Sequence, residues 1–195
     1  MSTPSMSALK SLLAAATAIA LAATAAAQTK SIAQGPNLGQ PATPADIAAW
    51  DIDIPPSGRG LPPGSGTPSK GETVYKQHCA SCHGPKGEGK PNDRLVGGQG
   101  SLPGDKPAIK TVGSYWPYAT TVFDYIRRSM PFDHPRSLTA DEVYSVTAFV
   151  LFLNGIVAET AEMNAKTLPA VKMPNRHGFI RHDESPVSRA RRGTK

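Results

Sequence analysis

The 195 residues contain two cysteines, three positions apart, in Cys79-Ala80-Ser81-Cys82-His83. On a helix, positions i, i+3 and i+4 leave the same face, so two thiols and an imidazole are presented together. This is the attachment signature of c-type haem. The thiols can form thioethers to the haem vinyl groups while His83 meets the iron. Other chemistries fit less well. A redox-active pair needs a thioredoxin-like βαβ pattern, which the chain lacks. Zinc needs four ligands, and no second Cys/His pair of suitable spacing exists. A disulfide here would close a tiny loop of little stabilising effect, and it leaves His83 unexplained.

An iron held by His83 needs a second axial ligand. Met130 is the best-placed candidate, in Arg128-Ser129-Met130-Pro131 directly after a predicted helix, where proline keeps the backbone extended. The alternatives are Met163 and Met173, both beyond the last core helix, and His134, which would give a bis-His iron of lower potential. Ordinary packing is what most methionines do. Tyr115 and Trp116 are candidates to hydrogen-bond a propionate, or buried aromatics. Arg127 and Arg128 could balance propionate charge, meet an acidic partner, or simply end a helix. His78, His177 and His182 read as surface residues.

The elements that must position these residues form a small all-α core. Residues 1–27, with Lys10, an Ala/Leu-rich run and Ala25-Ala26-Ala27, have the form of a signal peptide cleaved near Ala27-Gln28. Export to the periplasm is expected, with no stable membrane span after cleavage. Residues 28–69 are a Pro/Gly-rich N-terminal arm, unsuited to regular ladders. One short helix is expected in it, capped by Thr43 with Pro44 in the first turn. The haem domain is expected over 70–154. Its helices are predicted near 71–80, 117–128 and 139–154, the last opened by the capping box Thr139-Ala-Asp-Glu142 and closed at Asn154-Gly155. Tyr75 and Phe149 are expected to meet where the first and last helices cross. No strand pattern is evident. Residues 155–195 are a C-terminal extension: 167–175 reads as an extended segment laid over the domain, and a basic tail follows.

So small a helical core is marginal alone, and its middle loop of about thirty residues is hard to order without something to fold around. A covalent haem supplies that apolar mass. The formal charge of +6 lies mainly in residues 176–195, which hold six basic and two acidic residues. No basic helix interleaved with aromatics is present, which sets nucleic acid aside.

The pattern Gly71-x-x-x-Tyr75-x-x-x-Cys79-x-x-Cys82-His83, then Met130-Pro131, then the capped last helix, resembles the class I cytochrome c fold. Further segments, Ala48–Pro55, Gly60–Gly66, Leu95–Ser101, Val112–Tyr118 and Leu168–Asn175, resemble a narrower group. These are the cytochrome c subunits of molybdenum sulfite or sulfane dehydrogenases of sulfur-oxidising bacteria, including the Sox system. The resemblance implies one haem c held by Cys79 and Cys82, with His83 and Met130 as axial ligands. It implies a molybdopterin dehydrogenase as electron donor and a downstream cytochrome c or oxidase as acceptor. Some sulfane dehydrogenase cytochromes carry a second haem domain. The single motif here leans the reading toward a sulfite-dehydrogenase-like partner or a single-haem variant. No catalytic residue is expected, because the protein would transfer electrons and make no bonds. A freely diffusing carrier, or a haem sensor or enzyme with an open sixth site, is the other reading.

Overall fold

The computed structural model describes residues 39–103 and 107–180. The expected signal segment, its cleavage point and the tail from 181 lie outside them. The described residues fall into two units, divided after Trp50.

In the first unit, helix α1 spans Pro44–Trp50. The Thr43 hydroxyl accepts from the Asp46 N–H at 3.2 Å, and Asp46 Oδ2 accepts from the Thr43 N–H at 2.9 Å. Each end of the turn thereby satisfies the other's orphan donor. Ile47 and Trp50 are exposed.

The second unit is built on three helices: α2 (Pro68–His78), α4 (Ala119–Ser129) and α5 (Ala140–Leu153), with the one-turn α3 (Ala80–His83) directly after α2. Helix α2 starts earlier than expected because Thr67 caps it, accepting from Lys70 N–H, and Pro68 fills its first turn. That is the signal of Thr43-Pro44 repeated, inside a stretch whose Pro/Gly content argues against a helix. Helix α5 carries the expected reciprocal cap between Thr139 and Glu142. At its other end Gly155, at φ +68°, donates to Phe152 O, and Ile156 donates to Leu151 O. This left-handed closure satisfies the last carbonyls.

Helices α2 and α5 cross with almost no space between backbones. A side chain at Gly66 or Gly71 would strike the backbone of Ser145. Close to that crossing Tyr75 packs on Phe149, ring centroids 5.3 Å apart. Helix α4 lays Phe123 on Tyr144 of α5 at 4.5 Å. Residues 143–151 of α5 are buried on every side, as expected of a helix apolar all round.

The fold is mostly helical, as expected, with one addition. Strands β1 (Ser65–Gly66) and β2 (Met163–Asn164) form a two-residue antiparallel ladder. Two residues carry no alternation, so the sequence pattern could not show it. The ladder brings the C-terminal extension back against α5. Leu168, in the 3-10 turn Leu168–Ala170, is fully buried, and Met163 and Met173 are buried with it.

Apart from the two residues of β1, residues 52–66 have no ladder, and helix side chains bind their backbone at several points. Asp124 Oδ1 accepts from Ile54 N–H at 2.8 Å, and Arg127 donates to Ile52 O at 3.3 Å. Tyr144 donates to Pro62 O at 3.0 Å, and Asp141 accepts from Ser65 N–H at 2.8 Å. Ile54 enters the core. Buried backbone groups must find partners somewhere, and here the helices supply them.

Among the described residues, no helix is long and apolar enough to cross a membrane.

Candidate haem site

Between α2, α3, α4 and α5 lies a cavity of about 1000 Å³ whose lining includes Cys79, Cys82, His83 and Met130. These four sequence-predicted residues are thus brought to one space. Both thiols are free. The attachment motif starts at the break between α2 and α3. Cys79 caps α3, and the N–H groups of Cys82 and His83 both donate to Cys79 O, at 3.1 and 2.9 Å. Burial, and secondarily the neighbouring Cys82, push the Cys79 thiol up to about 11. A thiol so raised stays protonated at neutral pH, unlike the activated thiolate of a redox dithiol.

His83 Nδ1 lies 2.7 Å from the carbonyl oxygen of Asp93. A carbonyl only accepts, so the proton sits on Nδ1, and Nε2 keeps its lone pair as the free ligand atom. The loop that supplies this carbonyl is tied to the motif at two places and to itself at a third. Asn92 donates to Cys82 O, Gly89 donates to His83 O, and Leu95 donates to Gly87 O, at 2.8–2.9 Å. Further along, Asn154 at the end of α5 clamps the loop. Its Oδ1 accepts from Gly97 N–H at 3.0 Å, and its Nδ2 donates to Leu95 O at 3.1 Å. A backbone carbonyl has no sequence signature, so the partner of His83 was not legible beforehand.

Met130 stands at the C-terminal end of α4, where its backbone turns extended while its N–H still donates to Ile126 O. The residue before a proline is pushed out of helical conformation, which frees the thioether from the helix surface. His134 also lines the cavity, but its side chain is three-quarters exposed and paired with Asp133 at 3.2 Å. Met163 and Met173 are buried in the core and are not in the lining.

The remaining wall is mostly apolar. Val122 and Ile126 of α4 and Val146 and Val150 of α5 stand at i, i+4 spacings facing the cavity, with Leu95, Val112 and Trp116. The phenol of Tyr75 donates to Gly84 O at 2.8 Å, and burial raises its pKa well above the ordinary value. Trp116 borders the cavity, as one of its two readings required. Tyr115 does not: it packs edge-on against Phe179 at 5.2 Å, beneath Lys110. Arg127 and Arg128 hold the 52–54 segment instead of facing the cavity. Arg127 binds Ile52 O, and Arg128 binds the Asp124 carboxylate that Ile54 shares. His78 and His177 are exposed, whereas His182 lies outside the described residues.

The residues present fit a covalently held haem: two thiols and an imidazole on one wall, a thioether on the lining, and apolar walls between. The volume stands at the upper end of small-molecule sites, about 300–1000 Å³. Residues 66–150 match the family described as cytochrome C oxidase, cbb3-type, subunit III. The structure is similar to a chain of the sulfane dehydrogenase SoxCD from Paracoccus pantotrophus. That similarity has a TM-score of 0.73 and 40% sequence identity, over 83% of this chain and 79% of that one. This chain is a class I c-type cytochrome. No curated protein matches its sequence. As a member of that family the cytochrome carries covalently bound haem c and works in electron transfer.

Proposed function

We propose that this cytochrome is the electron-accepting subunit of an exported sulfur dehydrogenase containing molybdenum, acting on sulfite or a sulfane. The carrying observation is its 40% identity to a chain of sulfane dehydrogenase SoxCD over most of both chains. Cys79 and Cys82 would hold the haem through thioethers, with His83 Nε2 and the Met130 thioether as axial ligands. When bound, the haem supplies a one-electron centre, and His/Met ligation places its potential high. The chain's own part is positional. The Asp93 carbonyl fixes the His83 ring and tautomer, the turn after α4 presents Met130, and the aliphatic stripes of α4 and α5 exclude water. Electrons would leave to a downstream cytochrome c or oxidase.

Residues 28–50, with the exposed Ile47 and Trp50 of α1, would contribute to the partner contact. Residues 51–66 are unsuited to this test, because Ile54 belongs to the core. Purification from the native periplasm should yield a complex containing molybdenum, in which sulfite or a sulfane reduces the haem. Removing residues 28–50 should weaken that complex and leave the haem spectrum unchanged. A molybdenum-free monomer reduced equally by several unrelated enzymes would favour the freely diffusing carrier and overturn the proposal.

A further inference from the structure

A second, smaller cavity of about 270 Å³ shares Leu138 with the haem site and is lined by Ile52, Arg127, Arg136 and Val143 among others. Two arginines line it, and no carboxylate does. Arg128, one residue from Arg127, shows what pairing looks like in this region: it binds the Asp124 carboxylate through Nε at 3.0 and 3.1 Å. Arg127 makes one hydrogen bond, from one terminal nitrogen to Ile52 O. Among the described residues neither Arg127 nor Arg136 forms a salt bridge. Arg136 is held at φ +67°, in the left-handed region that few non-glycine residues occupy. Its backbone therefore departs from the usual regions where its side chain joins the cavity lining.

Two like charges on the lining of one small cavity, with no carboxylate among them, repel one another unless an anion sits between them. Guanidinium forks match oxyanions, each donating two parallel N–H groups. We infer that Arg127 and Arg136 form a binding site for a small, doubly charged tetrahedral oxyanion such as sulfate or phosphate. Leu138 lines both cavities, so the anion would lie one side-chain layer from the haem. Neutralising the two arginines there would favour the oxidised haem and lower its potential. A sulfur oxyanion is the chemical class that a sulfite- or sulfane-oxidising centre releases. The site would thus let accumulating product weaken the electron acceptor. This consequence rests on the proposed function, whereas the binding does not.

Titration calorimetry of the haem-loaded protein with sodium sulfate, and with phosphate in a parallel arm, tests the site at ionic strength held constant with chloride. One anion should bind per chain. Affinity should fall at least tenfold in Arg136→Gln and in Arg127→Gln, and be kept in Lys172→Gln, which removes an exposed charge elsewhere. Circular dichroism and the haem spectrum establish that each variant is folded. Spectroelectrochemistry should show a lower potential with sulfate in the wild type and no shift in Arg136→Gln. Absent binding, or binding unchanged in both arginine variants, overturns the site. Binding that disappears in the variants without any shift in potential overturns the coupling to the haem. Preference for phosphate over sulfate keeps the site and overturns the product-sensing role. Failure to find a molybdenum partner would overturn the proposed function and leave the calorimetric result standing.

Discussion

Asp124 shows how much a single side chain organises. It is buried, accepts the Ile54 N–H, and binds Arg128 along the same face of α4. Asp124→Ala should leave the Ile54 N–H and the guanidinium without partners and cost about 2–3 kcal/mol. Urea unfolding of the haem-loaded protein measures this, and the 52–54 segment should lose its amide protection first. Glu142 gives the pH dependence. The Thr139 N–H it accepts, and then the Thr139 hydroxyl, hold its carboxyl below the usual range. A carboxylate depressed by folding adds stability at pH values above its unfolded pKa, about 4.3, and that stability disappears as pH falls through the folded value. Glu142→Gln should therefore flatten the stability curve below about pH 4, and Thr139→Ala should cost about 1 kcal/mol at neutral pH.

Helix crossings were the most legible elements, and the reason lies in particular residues. Gly71, Tyr75 and Cys79 share a face at spacings of four, and the structure uses that face against α5, with Ser145 over Gly71 and Phe149 beside Tyr75. Gly71→Ala should force the helices apart and cost about 3 kcal/mol, the upper end for overpacking, with the transition midpoint in urea as the readout. Alanine at Gly97, which has open space around it, is the contrasting case, because only its positive φ opposes the substitution. What the sequence hid was non-periodic. The start of α2 at Thr67 was masked by its Pro/Gly neighbourhood, and the β1–β2 ladder is too short to alternate. Phe123 is fully buried against Tyr144, while Val122 and Ile126 of the same helix line the cavity.

At the scale of the whole molecule, the motif and the fold were readable because both rest on local spacing. The satisfaction of the 52–66 backbone by Asp124, Arg127, Asp141 and Tyr144 depends on contacts across 70 or more residues, and no local pattern encodes those. The same holds for the Asp93 carbonyl behind His83 and for the Asn154 clamp. All of these serve the proposed arrangement, in which a helical frame would hold a haem through His83 and Met130, both on the lining of one cavity. The near-infrared sulfur-to-iron charge-transfer band of the oxidised protein tests that arrangement most directly. It should be present in the wild type, absent in Met130→Ala and retained in His134→Ala. A band that survives in Met130→Ala, or carbon monoxide binding by the native reduced protein, would contradict it.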